Sequence, residues 1–194
     1  MSTALPVLFL AFANSATDPL RQLSEEENHI RKLLLQRAQQ QHYHIHPDSH
    51  ATLSTIRQYL TEYRNQVWLF HYGGHADSEQ IMLGSGDANS DGVAAMLAEQ
   101  ETLKLVFLNG CSTQAQVKKL LELGIAAVIA TQAPIDDELA RQFSGHLYHA
   151  LSLGASIGEA FQSAANFVAA AGRTLPQQQS VILENGFEEA NDLD

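Results

Sequence analysis

The sequence predicts an α/β protein with a mainly parallel sheet covered by helices on both faces, and three observations lead there. Residues 5–13, 67–71, 105–108 and 126–131 are nearly continuous apolar runs of strand length, as strands buried on both faces require. Between them lie segments whose apolar residues recur at helical spacing. Turn and capping residues separate the two kinds of segment. Such alternation is a βαβ series, with five strands expected and a sixth possible. A chain of 194 residues is long enough for one domain with a proper core. Residues 1–172 read as that domain, and 173–194 as a polar, acidic linker or tail.

In order, the first strand tolerates Pro6 because it falls near the start. Asp18 and Pro19 suit the N-cap and first position of a helix, while Ser24-Glu-Glu-Glu27 offers a later, capping-box start. Leu20, Leu23, Ile30, Leu33 and Leu34 give that helix its apolar stripe. A short strand over 42–46 places His42, His44 and His46 on one face, with His50 nearby. Imidazoles suit Zn, Cu or Ni, but four convergent ligands are wanting and no cysteine is near, so an edge strand turned to water is the better reading and no metal is assigned. Asp48 or Ser49 is expected to cap a helix carrying Leu53, Ile56, Leu60 and Tyr63. After the third strand, residues 81–83 read as half of a hairpin and 91–99 as a short helix. The strand over 105–108 leads to a helix with Val117, Leu120 and Leu121, ended by Gly124. Beyond the fifth strand, Asp136 is placed to cap a helix with Leu139, Phe143, Leu147 and Leu151. Ser156 is placed to cap the last one, with Ile157, Phe161, Ala164 and Val168.

Composition narrows the function. Hydrophobic residues make up 45% and charged ones 17%, a globular balance. The net charge of −11 opposes phosphate backbones and anionic membranes, so neither nucleic acid nor a membrane is an expected partner. No apolar run has membrane-spanning length, and residues 5–13 lack the basic flank of a signal peptide. A single cysteine excludes an internal disulfide framework and suggests the cytoplasm. No glycine-rich phosphate loop follows a strand, so no cofactor is expected and a flavodoxin-like binding domain is disfavoured.

The one cysteine, Cys111, follows Asn109-Gly110 at the carboxyl end of a strand and precedes Ser112 and Thr113, which can cap a helix. That sheet edge is where open α/β sheets carry their chemistry. Helix-terminus N–H groups there favour thiolate over thiol. A buried filler would sit inside the apolar run, not after the Gly that ends it. Phe70-His-Tyr-Gly-Gly-His75 supplies a base in a parallel setting, with His75 36 residues before Cys111, room for one crossover. His71 competes for the role but falls within the strand pattern, where a packed ring is expected. Asp77 would either orient His75 or be solvated.

The two motifs Phe70-His-Tyr-Gly-Gly-His75 and Val106-Phe-Leu-Asn-Gly-Cys-Ser-Thr113 together resemble the CHAT domain, a caspase-like peptidase domain often found with TPR repeats. The likeness continues through Gly124-Ile-Ala-Ala-Val-Ile-Ala-Thr131, Ile135-Asp-Asp137 and Ser156-Ile-Gly-Glu-Ala-Phe161. It implies a three-layer αβα caspase-like fold and a cysteine endopeptidase with His75 and Cys111 as dyad. Backbone N–H groups of Cys111 and Ala76 would hold the oxyanion; caspases have Gly after the His, but a backbone donor survives the change to Ala76. Asn109, Asp136 and Asp137 are the implied substrate-binding residues, the two carboxylates favouring Arg or Lys before the cut. The resemblance implies a regulated bacterial protease of defence or signalling, acting on a protein or peptide. It also implies TPR, STAND-type ATPase or other sensing domains as partners or activators. A catalytically silent interaction module with the same fold is the alternative.

Overall fold

A computed structural model describes residues 4–14, 23–76, 80–83, 86–110, 114–130, 137–171 and 180–183. In chain order these form β1 (Val7–Ala13), α1 (Leu23–Gln39), β2 (His44–Asp48), α2 (Leu53–Glu62), β3 (Val67–Gly74), β4 (Gln80–Leu83), β5 (Gly86–Asn89), α3 (Ser90–Ala98), β6 (Leu105–Asn109), α4 (Gln114–Glu122), β7 (Ala127–Ala130), α5 (Asp137–Ser152), α6 (Ile157–Ala170) and β8 (Ser180–Leu183). The main sheet has the order β2-β1-β3-β6-β7-β8. Its first five strands run parallel, and β8 joins β7 antiparallel. β4 and β5 make the separate hairpin expected near residues 81–83.

Strand alternation divides the core between two faces. Phe9, Ala11, Val106, Leu108 and Val128 face the layer of α2, α3 and α4. Leu8, Leu10, Phe12, Phe107 and Ile129 face α1, α5 and α6. The three-layer expectation is met because β1, β3, β6 and β7 are buried along their whole length, as their continuous apolar runs require. Gly124 and Gly154 follow α4 and α5 at φ +89° and +87°, left-handed positions that favour glycine. No described helix is long and apolar enough to cross a membrane.

Three of these expectations need correcting or extending. Thr52, not Asp48 or Ser49, caps α2: its hydroxyl accepts from Thr55 N, and Thr55 Oγ1 accepts from Thr52 N. Asp48 instead accepts from Thr55 Oγ1 and His50 N. β3 runs on to Gly74 rather than stopping at His71. Within the segment read as a tail, residues 180–183 add the sixth strand. Asp18, Pro19 and Leu20 lie outside the described residues.

Candidate active site

Register brings two strand ends together at the middle of the sheet. β3 and β6 are neighbours, with Tyr72 opposite Leu108 and Gly73 opposite Asn109. The next residues in each chain segment are therefore those of the His75 loop and Gly110. Contact there is backbone to backbone. A Cβ on Gly110 would come within 2.7 Å of the Gly74 carbonyl oxygen and 3.2 Å of Ala76 Cβ. A Cβ on Gly73 would meet the Phe12 ring at 2.8 Å, and one on Gly74 the Tyr72 hydroxyl at 2.6 Å and the Ala13 carbonyl at 2.7 Å. These glycines permit close approach of strands, not the tight hinge their pairing suggests: β3 stays extended through both.

His75 is half-buried just past the end of β3. Its carbonyl accepts a hydrogen bond from the Tyr72 hydroxyl at 2.6 Å. Ala76 forms an antiparallel bridge with Ile81, tying the loop to β4. Sequence reasoning missed this contact of Tyr72, because it depends on the chain folding back over its own strand. Cys111, Asp77 and Asp136 lie outside the described residues, and Asp137 is the first residue of α5.

His71 has the packed environment expected of it. Its ring is fully buried between Phe12, Phe107 and Tyr148, at centroid distances of 5.1, 4.9 and 5.6 Å. Burial pushes its pKa down to about 3, so the imidazole is neutral. Glu26 Oε1 approaches its Nε2 at 3.9 Å. That distance is too long for a hydrogen bond, and with a neutral ring the contact is not an ion pair.

Asn109, the last residue of β6, is buried and donates from Nδ2 to Glu26 Oε1 at 2.6 Å. Glu26 had no place among the expected site residues. Its one sequence signal is a carboxylate within the apolar stripe between Leu23 and Ile30.

The histidines of β2 behave differently. His46 Nδ1 and His44 Nε2 lie 3.2 and 3.4 Å from the Tyr63 hydroxyl, and the His46 ring packs on Tyr59. His42 precedes the strand and sits beside Arg37. A cleft of about 480 Å³ opens between α1 and β2, lined by Arg31, Lys32, Leu35, Tyr43 and Ile45 among others. It holds none of the expected site residues and stands on the far side of β1 from β6.

Comparison with known proteins decides the family. The CHAT domain matches residues 2–180. The chain belongs to the CHAT family. Among solved structures, this CHAT domain is similar to the Arg specific cysteine proteinase gingipain R (RGPB), at 15% identity and TM-score 0.65 over 92% of this chain and 46% of that one. It is similar to a secreted C11 cysteine protease from Bacteroides thetaiotaomicron, at 12% identity and TM-score 0.62 over 97% and 63%. Protein GSU0716 from Geobacter sulfurreducens matches at 12% identity and TM-score 0.56 over 93% and 92%. At these identities the likeness is one of fold, and the fold is that of caspase-like cysteine proteases. The CHAT chain spans about half the length of the first protease and under two thirds of the second. No curated protein matches it in sequence.

Proposed function

We propose that the chain is a cysteine endopeptidase with Cys111 as nucleophile and His75 as base and acid. The observation that carries this reading is the β3–β6 register, which sets the His75 loop against Gly110, the residue bonded to Cys111. The Cys111 thiol gives its proton to His75, and its sulfur bonds to the scissile carbonyl carbon. The carbonyl π pair moves to oxygen, where backbone N–H groups of Cys111 and Ala76 hold the oxyanion. Its collapse breaks the C–N bond, and His75 delivers its proton to the leaving amine. Water, deprotonated by His75, then cleaves the thioester and restores the thiol. Asn109, Asp136 and Asp137 contribute to the substrate pocket at this edge. The protease works in the cytoplasm within a bacterial defence or signalling system, and a TPR, STAND-type ATPase or other sensing partner controls it.

Incubation with a positional-scanning peptide library tests the reading, with Cys111→Ala as control. Cleavage should vanish in Cys111→Ala and in His75→Ala, while the thermal stability of His75→Ala stays nearly unchanged. The rate of Cys111 alkylation by iodoacetamide should rise with pH around a midpoint below that of a free thiol. No cleavage together with an unactivated thiol would leave the interaction-module reading in its place.

A further inference from the structure

Charge is unevenly spread along this acidic chain. Residues 28–47 hold three of its 11 basic residues, Arg31, Lys32 and Arg37, and none of its 22 acidic ones. Every described residue lining the cleft of about 480 Å³ between α1 and β2 comes from that stretch. Leu35, on the cleft wall, is 50% exposed. Arg31 lies 3.6 Å from Glu27, whereas Lys32 has no ion-pair partner among the described residues. Residues 184–194 are the opposite in charge. They carry Glu184, Glu188, Glu189, Asp192 and Asp194, no basic residue, and Phe187 and Leu193 as apolar side chains.

Topology brings the two stretches to the same side of the molecule. β8 is antiparallel, and its last residue, Leu183, stands opposite Ala127, the first of β7. His44, the first residue of β2, stands opposite Val7, the first of β1. Both therefore lie at the amino edge of the parallel strands. Five strand spacings, about 24 Å, separate β8 from β2. Asp192 to Asp194, nine to eleven residues past Leu183, reach about 30–36 Å when extended. Strand addition is the competing use of a sheet edge, and β2 resists it. The His44 N–H turns inward to the Pro6 carbonyl, so alternation turns position 47 outward, where proline has no N–H to offer. Recognition at this cleft falls instead to side chains, cations for carboxylates and Leu35 with Ile45 for an apolar anchor. A separate acidic protein would also meet the net charge of −11, whereas a tethered segment is held at an effective concentration of about 1 mM. We propose that residues 184–194 dock in the α1–β2 cleft of their own chain, with carboxylates at Lys32 and Arg31 and Leu193 against Leu35. The tail then guards the cleft, and any other anionic segment must displace it. Docking there is independent of the proposed chemistry at Cys111.

Zero-length carbodiimide cross-linking of the full chain, mapped by peptide mass spectrometry, tests the docking. The chain has four lysines, Lys32, Lys104, Lys118 and Lys119. Lys104 leads into β6, two strands from β8, so an undocked tail would join it sooner than Lys32. With the tail docked, Asp192 or Asp194 should join Lys32 in preference to Lys104. In a mixture of isotope-labelled and unlabelled protein, the link should fall within one chain. Leu35→Asp changes a half-exposed site and should lower the yield at Lys32 about tenfold or more, through a lost apolar contact and an added like charge. Raising the salt from about 0.05 to about 0.5 M should lower it as well. A tail that joins Lys104 ahead of Lys32, or never joins Lys32, would overturn the proposal. Links to Lys32 found only between chains would overturn it too, and would give the cleft to the tail of a second copy. An unchanged yield in Leu35→Asp would mean that the tail passes the cleft without seating there, and would equally end the proposal.

Discussion

Lowering the pH from 7 to 5 should weaken the fold by about 2 kcal/mol through His71 alone. The ring is fully buried and its pKa is pushed from 6.5 down to about 3, so it stays neutral in the folded chain. Unfolding frees it to titrate normally. Between those two values the unfolded state binds the extra proton, so stability is complete above pH 6.5 and falls with acidification at about 1.4 kcal/mol per unit. The groups facing the ring are Phe12 from β1, Phe107 from β6, Tyr148 from α5 and the Glu26 carboxylate from α1. Among these described groups only Glu26 would favour an imidazolium, and at 3.9 Å it competes with complete desolvation. His71→Phe keeps a ring of similar volume and removes the titration. Urea unfolding followed by circular dichroism at pH 7, 6 and 5 should show wild type losing about 2 kcal/mol more than this variant by pH 5. At pH 7 the variant should be as stable or more so, because both ring nitrogens of His71 lack hydrogen-bond partners among the described residues. Parallel pH curves for the two proteins would refute the argument. They would mean that Glu26 offsets burial and His71 charges inside the fold.

Tyr72→Phe leaves the His75 carbonyl without its donor; a stability loss of about 1 kcal/mol by urea unfolding and a larger proportional loss of iodoacetamide labelling at Cys111 are expected. Gly110→Ala drives a Cβ against the Gly74 carbonyl, and a loss of about 1–3 kcal/mol should accompany loss of labelling even where the variant remains folded. Ser156→Ala breaks the α6 capping box with Glu159 and should cost about 1 kcal/mol of stability while leaving the labelling rate at Cys111 unchanged.

Legibility in the sequence tracked the length of the signal. β1, β3, β6 and β7 announce themselves because a strand buried on both faces leaves no polar position to interrupt it. α6 was readable at both levels, its stripe and its cap, since Ser156 and Glu159 stand at the spacing that lets each satisfy the other's backbone. The same box at α2 was hidden because Thr55 fills the place where Glu or Gln is usual. β8 offers only Val181, Ile182 and Leu183 in polar surroundings, too little for periodicity, and its place depends on an open edge of β7 that no local pattern announces. Leu53 continues the α2 stripe by spacing, yet it is 44% exposed, while Ile56 and Leu60 further along the same helix are buried. Asn109 was singled out by the family resemblance, whereas Glu26 lies 83 residues away from it and only the fold pairs them.

The glycines carry the physical lesson of the site. Gly73-Gly74 reads as a hinge if glycine is taken only as a source of unusual dihedrals. In the fold both remain in β3, and what they supply is the absence of a side chain in three directions. Phe12 and Leu23 press on Gly73 from the α1 side, the Tyr72 hydroxyl and the Ala13 carbonyl press on Gly74, and Gly110 closes against the Gly74 carbonyl from β6. The ends of β1, β3 and β6 can therefore meet more tightly than side chains would allow. Each face of the sheet then braces one strand end: Tyr72, from the face of α2, α3 and α4, holds the His75 carbonyl, and Glu26, from α1, holds Asn109. The chain segments leading to His75 and Cys111, the proposed dyad, thus begin from strand ends fixed by separate halves of the core. Packing defects in either half should reach the proposed chemistry by different routes, through His75 on one side and β6 on the other.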